Sequence, residues 1–350
     1  METESFGWDQ VVADLAAQRD LSVIQARGVM REILENRASS EEIKSFLLAL
    51  KSKGESAFEV SAFVEEMFSH AAPISIQERA VDVVGTGGDV AHTINISTTS
   101  AIVAAAAGAR VVKHGNRAAT SLSGAADLLE ALGVAINLPG NLVERCVDEL
   151  GIGFCFAPIF HPAMRFAGPA RKELGVATVF NLLGPLANPA KPQAAAIGVA
   201  NEKALPIMAQ VLASRGVDGF LFRGDDGLDE ITLTTSTSVL TIGGGLVAGS
   251  KIDPTYFGLS YASLAELKGG DAVENARIAR AIFAGETGAP RDAILLNAGS
   301  AIAAFVGDSK KEPIERIAEG VLAATRAIDS GAANQLLDRW IELSQKLALA

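Results

Sequence analysis

The sequence predicts an α/β protein with a small, wholly helical part ahead of a large α/β part built on a central mixed sheet. Three observations carry that expectation. Up to about Ala71, apolar residues recur at helical spacing and no strand signal interrupts them. From Val81 onward, short apolar runs are followed by glycine-rich turns and then by helical stretches. Between Ile231 and Ile242, Thr and Ser alternate imperfectly with apolar residues, which suggests antiparallel strands within an otherwise parallel sheet.

Each element follows from a local pattern. Ser39 and Glu42 form an S-x-x-E capping pattern, and Ile43, Phe46, Leu47 and Leu50 follow at helical spacing. Ala57 to Phe68 sets Phe58, Val60, Phe63, Val64 and Met67 among acidic residues as a second helix. Val81 to Val84 is the first strand, a helix begins near Ser97 and ends at Gly108, and Val111 to Lys113 is the second strand. A helix at Ala125 to Leu132 closes on Gly133. A strand at Ala196 to Val199, a helix at Ala204 to Ser214 and a strand at Gly219 to Phe222 continue the alternation. Helices then return at Asp271 to Ala284, Pro290 to Phe305, Ile314 to Ile328 and Ala332 to Leu347.

Composition excludes several classes. With 350 residues and 49% hydrophobic content, the chain can fill a sizeable core. A net charge of −11 opposes a surface that grips nucleic acid or anionic lipid, so an anionic ligand needs a local positive pocket. The acidic, polar start METESFGWDQ lacks the basic and apolar regions of a secretory signal, and no export is expected. The apolar run Ala101 to Ala109 stops at Arg110, far short of the roughly 20 residues that span a bilayer, so no membrane partner is expected. Cys146 and Cys155 lie in apolar surroundings without metal-ligand spacing, which fits reduced core thiols in the cytoplasm.

The densest chemical signal is Gly85-Thr86-Gly87-Gly88-Asp89 directly after the first strand, with Thr93, Asn95, Ser97 and Thr98 leading into the next helix. Glycines admit close backbone approach, and a helix N-terminus offers unpaired N–H groups to an anion, so this is a candidate phosphate cradle. An ordinary glycine turn explains a lone glycine pair, but not the hydroxyls and amide that follow. Lys113-His114-Gly115-Asn116-Arg117 ends the second strand, and Thr120, Ser121 and Ser123 add hydroxyls. Cations at the end of a parallel strand, beside another strand's glycine loop, converge on one polyanion in the crevice above the sheet. Lys113 serves there as a point charge; Arg117 is either a ligand or a solvated loop charge, and His114 either a base or a satisfied core histidine.

Asp225-Asp226-Gly227-Leu228-Asp229-Glu230 gathers four carboxylates in six residues just after a strand. It reads either as an acidic surface turn or as oxygen ligands for Mg²⁺ beside a diphosphate. His161, Pro162 and Arg171 precede the segment Phe180 to Pro189, whose prolines and asparagines predict a rigid, specific loop. Arg171 either forks onto a ligand carboxylate or forms a surface salt bridge.

With these residues in view, the chain strongly resembles the anthranilate phosphoribosyltransferases. The shared motifs are GTGGD at 85 to 89, NIST at 95 to 98, KHGNR at 113 to 117, SGAADLLEALG at 123 to 133, FNLLGPLANP at 180 to 189 and DGLDE at 226 to 230. The resemblance implies a nucleoside-phosphorylase-like phosphoribosyltransferase fold, with a helical domain at 1–71 joined by later helices from about 165–190. An α/β domain at 72–350 binds phosphoribosyl diphosphate, the active site lies between the two, and a homodimer forms through the helical part. It also implies that Gly85, Gly88, Asp89, Thr93, Asn95, Ile96, Ser97, Thr98, Lys113, His114, Gly115, Asn116, Arg117, Ala118, Ala119, Thr120, Ser121 and Ala125 hold the donor. Gly85, Asn116 and Arg171 would meet anthranilate; Ser97, Asp229 and Glu230 would hold Mg²⁺; and Lys113, His114 and Asn116 would be the catalytic group. Three positions depart from the family pattern: Val90 replaces a frequent glycine, Ala125 a frequent serine or glycine, and Arg223 a common histidine.

That reaction, the second committed step of tryptophan synthesis, joins anthranilate's amine to the ribose C1 and releases diphosphate. The transition state carries positive charge on the sugar and negative charge on the leaving group, so charge stabilisation should dominate. The amine is already neutral at pH 7, which explains why no nucleophile triad is visible. Two other readings compete. A pyrimidine nucleoside phosphorylase would act at the same sugar carbon but would need inorganic phosphate and a nucleoside; the DGLDE and FNLLGPLANP segments oppose it. A nucleic-acid-binding derivative without transferase activity is opposed by the net charge and by Lys113, Asp229 and Glu230.

Overall fold

The computed structural model describes residues 6–89, 91–118, 121–308 and 310–350; Val90, Ala119, Thr120 and the start of the METESFGWDQ stretch lie outside the described residues. Four helices come first: α1 (Trp8–Ala16), α2 (Val23–Leu34), α3 (Ser40–Lys53) and α4 (Ala57–Ser69). The capping pattern read at Ser39 and Glu42 is formed, and the same reciprocal box starts α2 at Ser22 and Gln25 and α4 at Ser56 and Glu59. Each box satisfies orphan N–H groups at a helix start. The Glu59 carboxylate is fully buried, yet it accepts from the Leu21 N–H at 2.9 Å and from Lys53 Nζ at 2.8 Å.

The α/β part then runs β1 (Val81–Gly85), α5 (Ile96–Ala106), β2 (Val111–Gly115), α6 (Ala125–Leu132), α7 (Gly140–Leu150), β3 (Ile152–Phe156), α8 (Ala157–Phe160), α9 (Gly168–Leu174), α10 (Phe180–Leu186), β4 (Ala194–Gly198), α11 (Ala204–Ser214), β5 (Asp218–Gly224), β6 (Thr237–Gly243) and β7 (Leu246–Ile252). Four more helices follow: α12 (Ala272–Phe283), α13 (Ala289–Val306), α14 (Pro313–Asp329) and α15 (Ala332–Ala348). Short 3₁₀ turns lie at Pro162–Ala167, Pro254–Phe257 and Leu264–Leu267.

The strands form one seven-stranded sheet in the order β3-β2-β1-β4-β5-β6-β7. The five strands from β3 to β5 are parallel, while β6 and β7 join antiparallel, so the sheet is mixed as expected. The chain leaves β1 toward β2 and β3 on one side and returns to β4 and β5 on the other. That reversal makes the crevice above β1 and β4 a topological switch point, the usual ligand site of such sheets. Alternate residues face two cores. Ala194, Ala196, Phe220 and Phe222 pack among α5 and α13, whereas Ala195, Ile197 and Leu221 pack among α11, α10 and the four first helices. Ala167, Ala170, Phe180 and Leu183 share that second core.

The structure departs from the sequence expectation at three places. Neither α7 nor β3 is signalled strongly: β3 is a five-residue apolar run containing Gly153, too short for periodicity to separate strand from helix. The strand expected from Ile231 starts only at Thr237, because the Asp226 carboxylate takes the hydroxyls of Thr232 (2.7 Å) and Thr234, and these local bonds compete with the ladder. Finally, the rigid loop expected at Phe180 to Pro189 is largely the helix α10, with Pro185 inside its last turn. Its C-terminal carbonyls are met by side chains: Gly184 O by His114 Nδ1 at 3.0 Å, Leu186 O by Arg215 at 2.7 Å and Ala187 O by His161 Nε2 at 2.7 Å.

Candidate active site

The glycine loop leaves β1 at Gly85 and turns through Gly87 and Gly88, whose φ of +68° and +88° lie in the left-handed region that favours glycine. Gly85 is in register with Gly198 of β4. The acidic segment after β5 crosses directly over both: a Cβ on Gly198 would collide with the Asp229 carbonyl oxygen, and one on Gly85 with the Asp229 carboxylate. The glycines therefore admit the carboxylate into the crevice, where its Oδ2 accepts from the Gly87 N–H at 2.7 Å. Neither the need for glycine at position 198 nor this crossing was read from the sequence, in which Gly198 lies within an expected strand.

Three carboxyls meet here. Asp229 and Glu230 are buried, and the Asp89 charge lies close enough to act on Asp229. Burial first, and the charge of Asp89 second, push Asp229 up to about 7. Burial and then the Asp229 charge push Glu230 well above the usual carboxylate range, although Lys113 pulls the other way. Lys113, midway along β2, is 2% exposed and donates to the Val83 carbonyl. Burial lowers its pKa against the attraction of Asp82, Glu230 and Asp229. One cation thus faces a cluster of under-neutralised carboxyls, a balance that a further cation would complete.

Among the described residues, no group of three or more His, Cys, Asp and Glu side chains makes a ready metal cage. Mg²⁺ does not require one, since it keeps waters and typically takes one or two carboxylates plus substrate phosphates. The raised Asp229 and Glu230 carboxyls beside Ser97 fit that role.

The remaining residues singled out above fall into two sets. Ile96, Ser97 and Thr98 form the first turn of α5, with Gly88 and Asp89 on the loop before it. Thr93 bridges to Lys268. Gly115 cannot carry a side chain, because a Cβ would press on the Phe154 ring and Ala125. Ala125 starts α6 behind it. Asn116 and Ser121 are exposed at the mouth; the Asn116 carboxamide oxygen accepts from the Arg117 N–H at 2.7 Å, and the Ser121 hydroxyl donates to Ser123 O at 3.2 Å. The Ala118 N–H donates to Asp127 at 3.0 Å. Ala119 and Thr120 lie outside the described residues.

Two of these residues are engaged elsewhere. Asn95 donates to Ser123 O at 2.9 Å and accepts from Asn275 at 2.8 Å, bracing the 121–124 loop against α12. Arg117 is ion-paired with Asp127 and Glu130 and stacks over Phe156 at 5.5 Å.

His114 is buried beside His161, their ring centroids 5.4 Å apart. Burial, and then the neighbouring His161, push its pKa down to about 3, so it is neutral at working pH. With Nδ1 donating to Gly184 O, its Nε2 is an acceptor with no protein partner. Asp82, unread in the sequence despite being a lone carboxylate in the apolar run V-D-V-V, accepts from the His114 N–H at 3.1 Å; burial lifts it to about 6 even against Lys113. Arg171 lies on α9 with its guanidinium 5.2 Å from the Phe180 ring centroid. Burial lowers its pKa, and among the described residues no carboxylate pairs with it. It is a half-buried cation that faces no anion among the described residues.

A glycine cradle, a buried lysine and paired carboxylates at a switch point, beside a helical bundle, make a site for a phosphorylated ligand, and the fold is that of a glycosyl transferase. Family models agree: residues 77–334 match the glycosyl transferase family, a/b domain, and residues 9–71 its helical bundle domain. The anthranilate phosphoribosyltransferase of Rhodococcus jostii is 52% identical over 341 residues, covering 97% of this chain and 94% of the relative. The crystal structure of the Thermus thermophilus enzyme of that name superimposes with a TM-score of 0.89 at 40% identity, covering 96% of this chain and 99% of that one. The Saccharomyces cerevisiae enzyme in complex with PRPP and Mg superimposes with a TM-score of 0.87 at 28% identity, covering 97% and 98%. The chain belongs to the anthranilate phosphoribosyltransferase family.

Proposed function

We propose that this protein transfers the phosphoribosyl group of 5-phosphoribosyl 1-diphosphate to the amine of anthranilate, giving N-(5-phosphoribosyl)anthranilate and diphosphate in tryptophan biosynthesis. The carrying observation is the opposition of Lys113 and the α5 N-terminus to the Asp229–Glu230 pair across the glycine loop. Ser97, Asp229 and Glu230 would hold Mg²⁺, which when bound supplies positive charge for the diphosphate.

The chain's own groups do the rest. The Gly88 and Asp89 amides and the N-terminal end of α5 orient the donor's phosphates, with Lys113 as a fixed charge toward the leaving group. The amine nitrogen bonds to C1 as the C1–O bond to diphosphate breaks, and the surplus ammonium proton leaves to solvent. Arg171, held over Phe180, reads the acceptor's carboxylate, with Asn116 and Gly85 beside it. His114 offers its Nε2 lone pair as an acceptor at the floor and carries no charge of its own. Pre-positioning of two bound substrates supplies much of the rate.

Helices of 1–71, joined by those of about 165–190, would make the helical domain beside the α/β part of 72–350. Val23 (42% exposed), Ile24 (52%), Leu48 (50%) and Phe58 (55%) on α2, α3 and α4 support a homodimer through the helical part. The free, buried thiols of Cys146 and Cys155 support a cytoplasmic location. Among the described residues no helix is long and apolar enough to cross a membrane. Phosphorus NMR tests the reaction: diphosphate should appear only when donor and anthranilate are both present, and phosphorolysis of a nucleoside with inorganic phosphate instead would overturn the reading.

A further inference from the structure

We propose that Arg223 is a positioning residue that fixes the glycine loop and the acidic turn relative to one another; this rests on the phosphoribosyl-transfer reading above. Arg223 is the penultimate residue of β5 and is half-buried. Its Nε donates to the Ala200 carbonyl at 2.9 Å and its Nη1 reaches the Gly224 carbonyl at 3.3 Å. One planar fork therefore joins the loop after β4 to the last residue of β5, from which the acidic turn departs.

Both carbonyls belong to segments that lead into the site. On one side, the Ala200 N–H donates to Thr86 Oγ1 at 3.1 Å, and the Thr86 N–H donates to Gly198 O at 3.0 Å. The next residue, Gly87, donates to the Asp229 carboxylate at 2.7 Å. On the other side, the Gly224 N–H donates to Leu228 O at 2.9 Å, closing the turn that delivers Asp229 and Glu230. The path runs from Arg223 through Ala200, Thr86 and Gly87 to Asp229, and back through Leu228 and Gly224. Arg223 closes this ring without touching a residue assigned to either substrate.

Its charge is also directed rather than incidental. Asp225 and Asp226 follow within three residues, yet neither pairs with it: Asp225 is taken by Lys251 at 2.5 Å and Ser236 at 2.8 Å, and Asp226 by Thr232 and Thr234. A guanidinium donates to two separated carbonyls at fixed angles, which a lysine ammonium, a single point on a flexible stem, does not reproduce.

Steady-state kinetics on the full-length protein test this. Arg223→Met should raise KM for phosphoribosyl diphosphate by about fivefold, the scale of one lost hydrogen bond, with kcat and the anthranilate KM little changed. Arg223→Lys should recover only part of the loss. Thr86→Val, which removes the acceptor of the Ala200 N–H, should raise the same constant, and the double variant should be no worse than the poorer single one. If Arg223→Met does not fold, Arg223→Lys and Thr86→Val carry the same comparison. A wild-type donor KM in Arg223→Lys and Arg223→Met, equal losses for both substrates, or additive losses in the double variant would overturn the inference. An unmodified protein that turns over neither substrate would instead overturn the reading on which it rests.

Discussion

Replacing Arg171 by alanine tests the proposal that this residue makes the acceptor site selective for anthranilate. The guanidinium is held by a cation–π contact with Phe180 at 5.2 Å and is partly desolvated, so a substrate carboxylate is its natural counter-charge. A charge-assisted hydrogen bond of this kind contributes about 1.5–3 kcal/mol. At 1.4 kcal/mol per factor of ten, the anthranilate KM should rise about 10- to 150-fold, while the donor's constant moves much less. The lost ring contact, about 0.5–1 kcal/mol, should lower the melting temperature by at most about 2 °C. Aniline, which lacks the carboxylate, should be a poor acceptor for the native protein and lose little more in the variant, so the two losses do not add. Fluorescence-monitored kinetics with both acceptors, alongside thermal melts, give all these quantities. Equal losses for anthranilate and aniline with a clearly reduced melting temperature would assign Arg171 to packing and leave the carboxylate without a reader.

Asp229→Asn and Glu230→Gln should raise the Mg²⁺ concentration needed for half-maximal activity by at least about tenfold with the fold intact, because an amide oxygen still accepts from the Gly87 N–H; unchanged metal titrations would remove both from the site. The pH–rate profile between about pH 6 and 9 should show no ionisation of His114, whose pKa is down to about 3; a protonation near the ordinary histidine value that vanishes in His114→Asn would refute this. Glu66, 2% exposed, is held by Arg27 at 2.8 Å and Arg31 at 2.9 Å; burial alone would raise its pKa, but the two guanidiniums bring it below the usual value. With both arginines over two-fifths exposed, Glu66→Gln should cost about 1–2 kcal/mol at pH 7. Because the folded pKa is the lower one, that difference should be complete above about pH 4.3 and fade as pH falls through the folded value; denaturant melts that show a constant or growing difference in acid would contradict it. Sedimentation at micromolar concentration should give a homodimer that Phe58→Glu weakens, and a monomeric native protein would remove the helical face as an interface.

Much of this molecule is legible where the cause is local. The helix after Ser39, the helix closed by Gly133 and the last four helices follow from capping residues and spacing within one element. The glycine loop and Lys113 are likewise marked by where they fall relative to a strand, although β2 runs two residues beyond the Lys113 end that the sequence suggested. What escaped depends on distant partners. Asn95 sits at the start of α5 as read, but its carboxamide answers to Ser123 and Asn275, residues 28 and 180 positions away. Arg117 is drawn to Glu130 one helix later, and Gly198 is required by a carbonyl that arrives from beyond β5. The strand expected from Ile231 fails for a related reason, since hydroxyl bonds to Asp226 outbid the sheet in a stretch whose alternation alone looked extended.

The most direct measurement is the loss of anthranilate fluorescence in the presence of purified protein. Consumption should require phosphoribosyl diphosphate and Mg²⁺ together, stop when either is withheld, and fall sharply in Lys113→Met, which removes the buried charge proposed to act on the leaving group. An unmodified, folded protein that leaves anthranilate untouched with both present would contradict the account at its centre.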